Sequence, residues 1–345
     1  MIKFIRYELK RNLLPMVIFT AIACLIVGIM NTLSDTYYYY DFPNEVRVRS
    51  ALLSTPTVIF AILCVIVPIL QFSFRMKSRG ADLWYSLPVK REKLMLVRTL
   101  AGLLLAVIPF TVSYWFGFFI LLGRTNYYVL HGYLLYYLAL LPLGVLLFGI
   151  YSFLFSRANT VCDGIIFMIA WTFIFMMPFL YMSMHNITYS SQINGWQEFT
   201  PFGMLYYVEQ WFDDYICGSY GYAVHAPALR SLAWLIPIAA AEGIGAYAGL
   251  FLTARGQKAE NSEQLSSSLW GYKVFIPLYV FMFGGCLDVT DLQLCLLWGA
   301  ILLVGGYVSY IAYRRSFRLK LCDVLSLLIS FAAGIGFSLL GHYVF

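Results

Sequence analysis

The sequence predicts an all-α protein that crosses a membrane many times, and three observations carry that prediction. Hydrophobic residues make up 61% of the 345 positions and charged residues only 12%, more apolar surface than a soluble fold of this length can hide. Uncharged runs near or above the ~20 residues that cross a hydrocarbon core recur along the whole chain. The cations collect in alternate intervals between those runs.

Taken in order, residues 1–12 begin the chain as a charged segment. Ile2, Ile5 and Leu9 share one helical face and Lys3, Arg6 and Lys10 the next, the pattern of an interfacial amphipathic helix lying on a membrane surface. A charged cap on the first span is the plainer reading of the same window. The apolar run that follows is longer than a secretory signal core and offers no small-x-small cleavage site, so it is expected to stay as a span. Apolar runs then cover residues 13–34, 50–74, 99–123, 125–156, 164–183, 292–313 and 324–345. Residues 231–254 are a further candidate interrupted by Glu242, and residues 274–287, about 14 long, are a short crossing or a re-entrant segment. The expected count is nine crossings, with eight as the fallback.

Lys and Arg resist translocation, so their placement tests that count. With the N-terminus inside, nine crossings put nineteen of the twenty-three basic residues in the cytoplasm and leave Arg47, Arg49, Arg124 and Arg230 outside. The formal charge of +6 then divides into about +12 inside, about −5 outside and one acid, Glu242, within the membrane. The basic balance therefore reflects topology, and nucleic acid is not an expected partner.

Signatures of chemistry are scarce. The chain has no phosphate-binding Gly-x-x-x-x-Gly-Lys loop, no His-Glu-x-x-His and no Gly-x-Ser-x-Gly. Its seven cysteines form no Cys-x-x-Cys pair, although Cys286 and Cys295 flank one outer turn and a disulfide between them is conceivable on spacing alone. His131, His185, His225 and His342 are all expected at the outer surface, far apart in sequence and without a neighbouring nucleophile. No catalytic residue and no metal site is expected.

Residues 78–98, SRGADLWYSLPVKREKLMLVR, form a long basic amphipathic segment between two apolar runs. Residues 81–85 are short enough for one small helix, and Pro88, tolerated in a first helical turn, is expected to open a second helix through Arg98. Anionic lipid headgroups would hold such a loop, but its length and aromatic content point to docking a partner.

The run Asp82 to Arg91, with its Ser86-Leu87-Pro88 core and the basic N-terminus before it, resembles the coupling region of ABC-2-type transporter permeases. In that resemblance residues 1–12 match the interfacial helix, 78–91 the cytoplasmic coupling helix, 13–254 a six-span permease core, and 185–230 the external segment between its last two spans. A polar linker at 255–272 and about three additional spans at 273–345 depart from the six-span pattern. The resemblance implies a dimeric permease that binds two copies of a separate cytoplasmic ABC ATPase, with ATP and Mg²⁺ in that partner and no cofactor in this chain. It makes Leu83, Trp84, Tyr85 and Leu87 the apolar docking anchors, Asp82 and Arg91 polar contacts, and Pro88 part of the same surface.

Internal prolines at 68, 109, 142, 178, 237 and 277 invite kinks in the spans. Glu242 is the lone acid near the middle of a span, where an unpaired charge costs about 2.5–3.5 kcal/mol or more, so it is either a satisfied bundle contact or a group on a translocation path. Ala241, Gly245 and Gly249 beside it form a small-residue stripe suited to a close helix contact or a dimer seam. The outer segment is acidic and aromatic, and Trp196, Phe202, Tyr206 and Trp211 are read as a possible outer gate for amphipathic, positively charged molecules such as peptides, or as an aromatic belt. The reading that follows is an exporter permease for amphipathic peptides or peptide antibiotics in a bacterial plasma membrane. A lipid, glycan or drug exporter, a membrane enzyme using the outer histidines, and a sensory or scaffold subunit are the alternatives.

Overall fold

The computed structural model describes residues 2–33, 38–41, 45–48, 51–86, 89–124, 130–184, 203–217, 225–254, 256, 260, 262–264, 266, 268–287, 289, 291–314, 316–318 and 320–344. Its helices are α1 (Ile2–Leu33), α2 (Ala51–Phe72), α3 (Ser78–Tyr85), α4 (Arg91–Arg124), α5 (Leu130–Phe155), α6 (Val161–Met184), α7 (Gly203–Cys217), α8 (His225–Ala254), α9 (Tyr272–Gly285), α10 (Leu292–Arg314) and α11 (Leu321–Val344). A short antiparallel ladder between α1 and α2 pairs β1 (Tyr38–Asp41) with β2 (Glu45–Val48), Tyr38 opposite Val48, a local exception to the all-helical expectation. Helices suit this composition because each one satisfies its own backbone where no water reaches.

Among the described residues eight helices are long and apolar enough to cross a membrane, namely α1, α2, α4, α5, α6, α8, α10 and α11. The chain is thus a multi-pass membrane protein. The short run found in the sequence is α9, whose 14 residues extend only ~21 Å against a hydrocarbon core of ~30 Å.

Two helices exceed the membrane. α1 has 32 residues and α4 has 34, about 48 and 51 Å of helix. No break separates the charged residues of α1 from its apolar span, so the expected surface helix and first span are one continuous rod. The second cytoplasmic helix expected from Pro88 likewise starts at Arg91 and runs uninterrupted into its span.

The described contacts divide the chain into two compact units, Met1–Phe153 with Pro201–Ala259, and Leu154–Thr200 with Glu260–Phe345. One boundary of the division falls within the polar linker, between Ala259 and Glu260, and α6 groups with α9, α10 and α11.

In the first unit α1 lies parallel to α4. Their N-terminal ends meet at Glu8 and Arg98, and farther along Asn31 Nδ2 donates to the Gly117 carbonyl at 3.4 Å. α2 packs on α4 through Phe60 and Phe110, stacked at 4.1 Å. α5 is tied to α2 by the Thr57 and Tyr136 hydroxyls at 2.9 Å and to α4 by Tyr114, which donates to the Tyr133 carbonyl at 2.7 Å. α8 meets α5 where the Tyr247 hydroxyl donates to the Val145 carbonyl at 2.8 Å. The small-residue stripe lies only partly inside the bundle. Gly249 packs on Phe153, but Gly243 and buried Ala246 complete the inward face while Ala241 and Gly245 are exposed.

In the second unit α9 is walled by α6, α10 and α11. The Tyr279 hydroxyl donates to the Ala170 carbonyl of α6 at 3.1 Å. At the α9–α11 crossing backbone meets backbone, and a Cβ on Gly334 would sit 2.5 Å from the Phe281 carbonyl oxygen. The linker is a strap rather than a free connector. Ser266 donates to the Arg157 carbonyl at 2.9 Å, Trp171 Nε1 to the Trp270 carbonyl at 2.9 Å, and Tyr272 to Asp163 at 2.6 Å. Asp323 joins the start of α11 to the end of α10 by accepting from Arg314 Nη2 at 2.7 Å. Cys286 and Cys295 are both free thiols.

Gly334→Ala forces one of those two backbones to move, so it is expected to lower stability by about 1–3 kcal/mol. Thermal unfolding of the detergent-solubilised protein checks this, and an unchanged midpoint would show that α9 and α11 do not cross so closely.

Candidate functional site

The charged end of the first unit is built around α3. α2 runs into a tight 3-10 turn, Ser73–Met76, whose Met76 is buried, and the chain then reverses into the eight residues of α3. Ser86 ends α3 by donating to the Leu83 carbonyl at 2.9 Å.

Trp84 is the pivot of the site. Its ring centroid lies 6.2 Å from that of Phe4, 6.4 Å from Tyr7 and 6.1 Å from Phe74, so one side chain of α3 touches both α1 and the turn after α2. Beneath it lies Arg98 of α4, which is only 1% exposed. The Arg98 guanidinium stands 3.7 Å from the Phe74 ring centroid and 4.1 Å from that of Trp84, within the reach at which a ring face attracts a cation. Its Nη1 donates to the Gln71 carbonyl at 3.0 Å, and its Nη2 lies 3.4 Å from Oε1 of Glu8, which is fully buried. Arg11, one turn further along α1, pairs with the other Glu8 oxygen at 2.7 Å and sits 5.2 Å from the Trp84 ring centroid.

A buried ion pair costs several kcal/mol per ion in lost hydration, and that cost is recovered only while the partners stay in register. Glu8, Gln71, Trp84 and Arg98 come from α1, α2, α3 and α4 respectively. Displacing α3 withdraws Trp84 from the guanidinium, so a push on α3 is felt at the ends of three long helices.

The expected docking residues fall on different sides of this knot. Leu83 is 64% exposed, and Ser86 and Arg91 are exposed beside it. Trp84 is turned into the bundle instead of outward, because the buried cation offers its ring a stronger contact than solvent does. Leu87 and Pro88, and the side chains of Asp82 and Tyr85, lie outside the described residues. On α1, Arg6 and Lys10 are exposed, and the side chain of Lys3 lies outside the described residues. Sequence reasoning passed over Glu8 and Arg98. The signal was there, since Glu8 is the lone acid among the four cations of the first turns and Arg98 is the last cation before a long uncharged run.

The other end of the first unit is closed by α7. Phe212 is fully buried, stacked on Tyr136 at 4.3 Å and set edge-on to Tyr133 at 5.1 Å. Met204, Leu205, Tyr207 and Val208 are buried with it. Of the four expected gate residues, Tyr206 is exposed and Trp211 half-buried, while Trp196 and Phe202 lie outside the described residues. The residue that enters the aromatic core is therefore Phe212.

Glu242 is half-exposed on α8, and no hydrogen bond or ion pair joins it to another described residue. The side chains of His131 and His225, and all of His185, lie outside the described residues, and His342 is exposed beside Tyr343. Among the described residues no three His, Cys, Asp or Glu side chains gather in a way that would hold a metal ion.

Replacing Arg98 by Met alone strands Glu8 in an apolar site and is expected to cost about 3–5 kcal/mol. The double variant Glu8→Leu with Arg98→Met is expected to recover most of that loss, and a thermal-unfolding cycle reads both. In the same assay Phe212→Ala is expected to cost about 3–5 kcal/mol, as for any large aromatic removed from a packed core. No protein-family model, no curated protein and no solved structure matches this chain.

Proposed function

We propose that this chain is the transmembrane subunit of an ATP-driven exporter, working as a dimer, with α3 as the helix on which a separate ABC ATPase docks. The observation that carries the reading is the Trp84 knot. A short amphipathic helix presents Leu83 outward while its inward tryptophan is clamped to α1, α4 and the turn after α2. That arrangement suits the passage of a mechanical push from a soluble motor to membrane helices.

In this reading the α3 end faces the cytoplasm of a bacterial plasma membrane, in keeping with the charge pattern of the sequence, which for nine crossings would put nineteen of twenty-three basic residues on that side. Two ATPase copies bind ATP and Mg²⁺ and do the hydrolysis, and this chain supplies Leu83, Arg91 and the remainder of residues 82–91 as the docking surface. The cargo is an amphipathic peptide or peptide antibiotic moved outward by alternating access. The excess of acids and aromatic rings in the outer segments supports a cationic, amphipathic cargo.

Co-purification from the native membrane tests the assignment. Wild-type protein is expected to carry an ATPase with it. Leu83→Glu, at an exposed position, is expected to lower that recovery at least tenfold without moving the melting temperature. Trp84→Ala is expected to keep part of the ATPase but to lose its stimulation by cargo. An absence of any ATPase with folded wild-type protein overturns the reading.

A further inference from the structure

The second unit contains an apolar groove that the exporter reading does not use. It has a volume of about 930 Å³ and is bounded by α6, α9 and α10, with Ile169, Met177, Phe283, Trp298, Ile301 and Gly305 among its walls. No charged side chain lines it among the described residues. Gly305 of α10 puts no side chain into the groove, and nothing lies within 4 Å of where its Cβ would be.

Its length and apolar walls suit hydrocarbon. Along α10 the walls run from Leu294 to Ser309, about 22 Å of helix. Every described residue lining that length is apolar or a neutral polar group, so the groove offers a long, uncharged bed. Extended hydrocarbon chains match such a bed, and the charge at one of its ends, described next, matches a lipid headgroup. An empty groove would forfeit dispersion contacts along every wall.

One end of the groove is cationic. The rings of Tyr272 and Tyr313, 5.0 Å apart, place the start of α9 and the end of α10 together. Lys273 is exposed there, one turn before Ile276 and on the side of α9 that carries Ile276 and Val280 into the wall. Arg318 and Lys320 are exposed in the adjoining turn, while Arg314 is engaged by Asp323. No ion pair to Lys273, Arg318 or Lys320 forms among the described residues.

We propose that this groove is a phospholipid site, in which extended acyl chains lie between α6 and α10 over α9 and an anionic headgroup sits against Lys273, Arg318 and Lys320.

Native mass spectrometry and thermal unfolding of the full chain, delipidated in detergent and titrated with phosphatidylglycerol or phosphatidylcholine, test it. Phosphatidylglycerol is expected to bind at least tenfold more tightly and to raise the melting temperature. A Cβ at Gly305 meets no atom within 4 Å, so Gly305→Trp fills the groove from an unobstructed position and is expected to weaken both lipids at least tenfold with the helical circular dichroism unchanged. Lys273→Gln with Arg318→Gln and Lys320→Gln is expected to remove the preference while keeping phosphatidylcholine binding. Cys295 lines the groove, so peptide-mapped alkylation of Cys295 in wild-type protein supplies a readout without mutation, and phosphatidylglycerol is expected to slow it at least fivefold. Equal binding of the two lipids, wild-type affinity in Gly305→Trp, or unprotected Cys295 overturns the proposal. Stabilisation by inorganic phosphate equal to that by phosphatidylglycerol, or a change of oligomeric state in Gly305→Trp without loss of lipid, would assign the site to a free anion or to a second copy and would also overturn it.

Discussion

Arg98 holds a full positive charge at 1% exposure, and the arrangement of the first unit follows from the need to compensate it. Water is replaced by Glu8 on one side, by the Gln71 carbonyl on another, and by the rings of Phe74 and Trp84, set at 70° to each other. Each compensating group belongs to a different segment, so no segment can shift alone without exposing an unmatched charge to an apolar surround. The same constraint explains why α1 and α4 continue as rods beyond the length a membrane requires. Their extra turns carry the two charges to a common level.

Shortness plays the corresponding part in the second unit. A 14-residue apolar helix neither fills a membrane's thickness nor shields its own ends, so α9 depends on neighbours. It borrows α6, crosses α11 backbone to backbone at Gly334, and is held at its start by Tyr272 on Asp163. The strap of residues 262–271 reinforces that start from the turn before α6. A groove along α10 is the remainder that these contacts do not fill.

The opposite end of the first unit is organised by aromatic rings instead of charge. Phe212 closes a cluster that includes Tyr133, Tyr136, Tyr114 and Phe110, and the hydroxyls of Tyr114 and Tyr136 find hydrogen-bond partners within the bundle. Rings whose polar tips find partners pack densely without leaving an unmatched polar group in the core. One end of this unit is therefore held by a compensated charge and the other by ring packing, and a helix outside the long spans, α3 or α7, completes each.

The sequence by itself determined the long apolar helices and their order. Runs read at 292–313 and 324–345 became Leu292–Arg314 and Leu321–Val344, because apolar length and the exclusion of charge are one-dimensional properties. It also marked residues 78–98 as a special amphipathic segment and α9 as too short. Only the tertiary structure decided which side chains of that segment turn inward. Trp84 faces the bundle because a cation from another helix waits there, and Glu8 is buried because that cation needs a counter-charge. It likewise groups α6 with α9, α10 and α11 and packs α8 inward through Gly243, Ala246 and Gly249. Desolvation and close packing are set by neighbours far away in the chain, so a local pattern can single out Glu8 and Arg98 but cannot say that they meet.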